Sequence, residues 1–83
     1  MNSDEIRSRL LGLLSRIAPD IDAATIDDEL ALRDQFDFDS MDTLHFMTAV
    51  SEGFAIDIPE PDYPQLAGLG GACRYVATKL GSR

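Results

Sequence analysis

The sequence predicts a small all-α protein, a bundle of three main helices plus one short helix. Three stretches place apolar residues at the three- and four-residue spacings of a helix face. No stretch alternates apolar and polar residues over the length of a strand. A chain of 83 residues has room for one modest core, so we expect residues 1–83 to form a single domain.

The first helix is predicted by an apolar stripe that ends before Pro19, and Asn2 or Ser3 can cap its start. The stripe consists of Ile6, Leu10, Leu13, Leu14 and Ile17. About twenty residues without sustained periodicity follow, up to Asp39. We expect an ordered loop there, because its apolar residues can anchor it: Ile21, Ile26, Leu30, Leu32, Phe36 and Phe38.

The second helix is predicted from Ser40 to Glu52, with Gly53 as a terminator. Its apolar face is expected to contain Leu44, Phe46, Met47, Val50 and Phe54. Pro61 and Pro64 allow at most a short turn of helix in the next segment. The last helix carries the stripe Leu69, Cys73, Val76 and Leu80, which predicts that Cys73 is a core residue. Gly70 and Gly71 each disfavour the start of that helix by roughly 0.8–1 kcal/mol relative to Ala.

The net charge of −8 argues against nucleic acids and anionic membranes as partners and favours basic proteins. The charge is concentrated between Asp20 and Asp62, where thirteen acidic residues accompany one basic residue, Arg33. The alternative interpretation is an ordinary solvated face. No signal peptide and no run of about 18 apolar residues is found, so a cytoplasmic protein without membrane insertion is expected. One cysteine and one histidine make a disulfide or a metal site unexpected.

The segment from Asp37 to Leu44 carries the most chemical information. A calcium loop needs Gly at its sixth position and Glu at its twelfth, but counting from Asp37 these are Asp42 and Thr48. Hydrolysis by Ser40 is not expected either, since His45 lies five positions away on the same helix, where the two side chains point in different directions, and no third group follows. Two interpretations of Ser40 remain open: an N-cap residue, or a modification site at the positive end of a helix.

At these residues the chain resembles the acyl carrier proteins. The family motif is Asp-Ser-Leu at the start of the second helix, and Asp39-Ser40-Met41 matches it with Met in place of Leu. The similarity continues through the second helix to its exit at Ile58-Pro59-Glu60, and through the last two helices. The further matching positions are Asp42, Thr43, Leu44, Phe46, Val50, Phe54, Leu66, Leu69, Ala72, Tyr75 and Val76.

The resemblance implies a four-helix bundle of acyl-carrier-protein type that catalyses nothing itself. Ser40 would receive a 4′-phosphopantetheine arm from coenzyme A, through a separate phosphopantetheinyl transferase. The arm would hold acyl groups as thioesters for enzymes of fatty-acid, polyketide or related biosynthesis. Asp39 and Met41 would flank the arm, and the residues implied to dock basic patches on acyl-loading and acyl-using enzymes are Asp37, Asp42 and Glu52. The implied acyl pocket is lined by Phe46, Met47, Val50, Ile58 and Leu66, with ordinary core packing as the alternative.

Departures from the family pattern bear on the partners. His45, Thr48, Ser51 and Gly53 stand where members of fatty-acid synthesis usually have Glu or Met, so this helix is less acidic and is expected to serve other enzymes. We expect a monomer. Two alternative functions stay open: a carrier of aminoacyl or peptidyl groups, and an unmodified acidic helical adaptor that keeps the carrier fold.

Overall fold

Helices form the whole of the secondary structure in residues 1–81, the part of the chain that the computed structural model describes. The α-helices are α1 (Ser3–Ile17), α2 (Leu32–Gln35), α3 (Ser40–Phe54) and α4 (Leu69–Gly81), and the 3-10 helices are η1 (Ala23–Thr25) and η2 (Glu60–Leu66). Within these residues the only extended pairing is an isolated antiparallel bridge between Ala31 and Gly68. The expected all-α bundle, with three main helices and a short one before the last, is confirmed.

The core lies between α1, α3 and α4. The side chain of Asn2 caps α1 by accepting a hydrogen bond from the Glu5 N–H at 2.8 Å, as expected of a short polar residue at this position. Each main helix contributes one buried stripe. The buried apolar residues are Ile6, Leu10, Leu14, Leu32, Phe38, Phe46, Met47, Val50, Phe54, Ile56, Leu66, Leu69, Ala72, Tyr75 and Val76.

Some apolar residues are more exposed than the sequence predicted. Leu44 and Leu30 are both 48% exposed. Leu44 follows Met41 by three positions, so the two share the outer face of α3 rather than its core face. In the predicted stripe of α4, Leu69 and Val76 are buried as expected, whereas Cys73 and Leu80 are only partly buried at the edge of the core, because Ala72 and Tyr75 share the buried face.

The long loop is ordered, as predicted, but it also contains two short helices that the sequence did not reveal. Arg7 of α1 holds the loop by a two-pronged ion pair with the carboxylate of Asp28, at 2.9 and 3.0 Å. The Gln35 amide group closes the loop on itself: its Nε2 donates to the carbonyls of Asp27 and Leu30, and its Oε1 accepts from the Asp27 N–H. Buried Leu32 fixes α2 to the core.

The segment after α3 forms a longer helix than Pro61 and Pro64 predicted. Instead of a short turn, η2 has seven residues, with Pro64 inside it. A 3-10 helix tolerates Pro61 in its first turn, where N–H groups have no helical partner in any case. The Tyr75 hydroxyl donates a 2.7 Å hydrogen bond to the Asp62 carboxylate and so ties η2 to α4. This buried tyrosine has its pKa raised to about 12, first by burial and then by that hydrogen bond.

The two glycines at the start of α4 permit close approach of the backbone. The Gly70 N–H donates to the Asp28 carbonyl at 2.8 Å, and a Cβ atom at Gly70 would lie 2.8 Å from the same oxygen. A Cβ atom at Gly71 would collide with the Gln65 carbonyl. Close packing against the loop and η2 therefore offsets the weak helix propensity of glycine. No helix in residues 1–81 is long and apolar enough to cross a membrane.

Candidate modification site

Ser40 is the first residue of α3, and it is not the helix cap. Asp39 is the N-cap: its Oδ1 accepts a hydrogen bond from the Asp42 N–H at 2.9 Å. The Asp42 carboxylate in turn accepts from the Asp39 N–H at 3.3 Å, which completes a reciprocal capping box. The interpretation of Ser40 as a cap is therefore wrong, because the preceding aspartate already has this role.

The hydroxyl of Ser40 is exposed and makes no hydrogen bond within residues 1–81. By contrast, the hydroxyls of Ser15 and Ser51 donate to the carbonyls of Gly12 and Ile56. Within residues 1–81 the hydroxyls of Ser3 and Ser8 also make no hydrogen bond, and Ser3, like Ser40, starts a helix after an Asx cap. A position at the start of a helix therefore does not distinguish Ser40 from Ser3. The difference between the two serines lies in the residues that surround them.

Ser40 opens onto a cleft that Ser3 does not line. The part next to Ser40 has a volume of about 330 Å³ and is lined by Arg33, Phe38, Asp39, Ser40, Thr43 and Leu44. A neighbouring part of about 350 Å³ is lined by Arg33, Phe38, Thr43, Tyr63, Pro64 and Ala67. Because three residues belong to both parts, they form one cleft running from Ser40 to η2, which we call the Ser40 cleft.

The approach to Ser40 is fixed by Phe38, two residues before it. Phe38 is 7% exposed, and its ring meets that of Phe46 edge to face, with centroids 6.3 Å apart. Such aromatic pairs add about 0.5–1.5 kcal/mol beyond their buried area. The core therefore holds the chain immediately before α3, and with it the position of the serine.

The outer face of α3 carries exposed apolar residues beside Ser40. Met41 is 57% exposed, and Leu44 lies one turn further along. His45, Thr48 and Glu52 continue this exposed face toward the end of the helix. Of the expected docking acids, Asp37 and Glu52 are exposed, whereas Asp42 is half-buried in the capping box.

Most of the residues expected to form an acyl pocket, namely Phe46, Met47, Val50 and Leu66, are buried in the core. Met47 also lines, with Ile58, a cavity of about 180 Å³ between α3 and η2. Tyr63 lines both this cavity and the Ser40 cleft. The acyl pocket stays a prediction.

Of the nine residues that line the cleft, only Asp39 and Ser40 were predicted as site residues, and those missed include Tyr63 and Arg33. Tyr63 lies between two prolines that predicted little helix, so its place in the cleft had no signal. Arg33 did have one, because it is the only Lys or Arg between Asp20 and Asp62. In residues 1–81, no group of three or more His, Cys, Asp or Glu side chains is arranged to hold a metal ion.

Comparison with known proteins identifies the family. No family model matches the chain. It is 28% identical over 79 residues to the mitochondrial acyl carrier protein of Neurospora crassa, covering 95% of this chain and 59% of that protein. It is 33% identical over 63 residues to the acyl carrier protein of Picosynechococcus, covering 76% of this chain and 78% of that protein. With a free serine at the start of α3, an acidic surface and these relatives, the chain belongs to the acyl carrier protein family.

Proposed function

We propose that this protein carries acyl groups as thioesters on a 4′-phosphopantetheine arm attached to Ser40. It delivers them to enzymes of fatty-acid, polyketide or related specialised biosynthesis. The observation that carries the proposal is the free, exposed hydroxyl of Ser40 at the opening of a cleft. Its family membership supports the same role.

The residues around Ser40 fit a phosphate-linked arm. Asp39 caps α3 through the Asp42 N–H, so the Ser40 hydroxyl is available for bond formation. The first N–H groups of a helix lack intrahelical partners and, with the helix dipole, favour a negative phosphate. During transfer, Ser40 Oγ forms a bond to the phosphorus that carries the pantetheine. The pyrophosphate bond of coenzyme A breaks, adenosine 3′,5′-bisphosphate leaves, and the hydroxyl proton passes to a base of the transferase.

The arm supplies a terminal thiol on which an acyl group is held, and the chain's own residues present it to other enzymes. Met41 and Leu44 offer an apolar contact beside the arm, because both are exposed on the outer face of α3. Asp37 and Glu52 add negative charge around that contact. Docking of this kind is fast, weak and sensitive to salt, which suits a carrier that visits several enzymes in turn.

Intact-mass spectrometry after incubation with coenzyme A and a broad-specificity phosphopantetheinyl transferase tests the proposal. The wild-type protein and Ser3→Ala should gain the mass of one arm, and Ser40→Ala should gain none. Ser3→Ala is the matched control, because Ser3 also follows an Asx cap at a helix start. A wild-type protein that stays unmodified would favour the adaptor function.

Offering the loaded protein to acyl-loading and to aminoacyl-loading enzymes separates the two carrier functions. The proposal expects an acyl thioester on the arm. Exclusive charging with an amino acid would instead indicate the aminoacyl or peptidyl carrier.

A further inference from the structure

Arg33 is the only basic residue in the acidic segment, and it faces the candidate attachment site. It lines both parts of the Ser40 cleft, including the part that contains Ser40 itself. Its guanidinium makes no hydrogen bond or ion pair within residues 1–81. By contrast, Arg7 and Arg74 are paired with carboxylates. Arg33 therefore has all its donors free at the edge of this cleft.

The backbone holds Arg33 in this position. The preceding residue, Leu32, is 1% exposed, and its N–H donates a 2.9 Å hydrogen bond to the carbonyl of Ala67, which also lines the cleft. Gln35 fastens the other end of α2 to the loop through its side-chain amide. Because both sides of Arg33 are fixed, only its side chain is free to move over the cleft.

A phosphodiester on Ser40 would add a negative charge among carboxylates. Asp39 lines the same part of the cleft, and Asp37 and Asp42 are near neighbours in sequence. Repulsion from these groups would push an arm away from the protein surface. A guanidinium offers donors in a planar fork that matches phosphate oxygens, and it keeps its charge at all working pH values.

We infer that Arg33 binds the phosphodiester of the arm on Ser40 and directs the first part of the arm into the Ser40 cleft. This inference rests on the proposed function, since it requires an arm at Ser40. It assigns Arg33 a positioning role that does not depend on the identity of the cargo, because the phosphodiester is present in every loaded form.

The test compares melting temperatures before and after attachment for wild type, Arg33→Gln and Arg16→Gln. Arg16 is the matched control: it is exposed, makes no hydrogen bond or ion pair within residues 1–81 and is not among the residues lining the Ser40 cleft. Each protein is loaded to completion with the arm alone and checked by mass. Attachment should lower the melting temperature of Arg33→Gln by roughly 1 to 8 °C more than that of wild type or Arg16→Gln.

Two further measurements separate charge from geometry and arm from cargo. Arg33→Lys should keep only part of the wild-type response, because a lysine has the charge without the fork. The Arg33 side-chain Nε–H resonance in NMR spectra should shift on attachment of the arm alone. A shift or a stability difference that appears only with a malonyl group, and not with the bare arm or an acetyl group, would assign Arg33 to a cargo carboxylate instead.

Failure of this inference and failure of the proposed function give different results. A wild-type protein that gains no mass would remove the proposed function. A wild-type protein that gains the arm, while Arg33→Gln and Arg16→Gln respond equally to attachment, would leave the carrier function intact and overturn the role of Arg33.

Discussion

Replacing Asp39 by Ala and by Asn separates the cap of α3 from the reactive hydroxyl of Ser40. Asp39→Ala removes the acceptor of the 2.9 Å hydrogen bond from the Asp42 N–H. Asp39→Asn keeps a side-chain oxygen at the same place while removing the same charge, so comparing the two isolates the cap. Ser40→Ala removes a hydroxyl that makes no hydrogen bond within residues 1–81.

The magnitudes follow from this geometry. Loss of an N-cap costs about 0.5–2 kcal/mol, so Asp39→Ala should be destabilised by that amount relative to Asp39→Asn. For a domain of this size each kcal/mol corresponds to roughly 4–8 °C in melting temperature. Ser40→Ala should stay within about 0.5 kcal/mol of wild type, as expected for an exposed residue without partners.

Urea and thermal unfolding followed by far-UV circular dichroism measure all three variants. Each unfolding curve is paired with an arm-attachment assay. The expected outcome is that Ser40→Ala is stable but cannot receive the arm, while Asp39→Asn is stable and keeps the Ser40 hydroxyl to which the arm is attached. The reasoning is refuted if Ser40→Ala loses as much stability as Asp39→Ala, since the serine would then be the cap.

Three further predictions concern stability. The Arg7 guanidinium lowers the pKa of Asp28 below 3.8, so Asp28→Asn should lower the free energy of unfolding by at most about 1 kcal/mol at neutral pH. In urea unfolding at decreasing pH, the difference between this variant and wild type should disappear as the pH falls through the lowered pKa of Asp28. The pKa of Tyr75 is raised from 10.0 to about 12, so its contribution to the free energy of unfolding should be fully present below pH 10 and should be lost as the pH rises toward about 12. In melting curves recorded at alkaline pH, Tyr75→Phe should remove that loss. In urea unfolding, Gly70→Ala should lose about 1–3 kcal/mol against the Asp28 carbonyl, whereas Gly12→Ala, with nothing within 4 Å of its Cβ, should gain about 0.5–1 kcal/mol.

The helical pattern in the sequence was sufficient for the three main helices, because burial of one face decides their position. The pattern did not identify the N-cap of α3, because two adjacent residues at that helix end could both serve as the cap. Asp39 and Ser40 are both good caps, and only the hydrogen bonds show that the aspartate has this role. The prediction that Leu44 lies in the core was also wrong. Its apolar side chain is typical of a core residue, but its position on the helix beside Met41 places it on the outer face of α3.

The Ser40 cleft could not be predicted from local patterns, because its walls come from distant segments. Arg33 reaches it through a one-turn helix that is held by a hydrogen bond to Ala67, and Tyr63 reaches it from a proline-containing 3-10 helix. Such short helices have no periodicity of their own. Tertiary contacts determine where they lie.

Peptide mapping of the loaded wild-type protein by tandem mass spectrometry tests the role of Ser40 most directly. The expected result is one 4′-phosphopantetheine group on the peptide containing Asp39, Ser40 and Met41, with the Ser3 peptide unmodified. An arm on any other residue, Ser82 outside the described residues included, or a protein that a competent transferase leaves unmodified, would contradict the assignment of Ser40 as the carrier site.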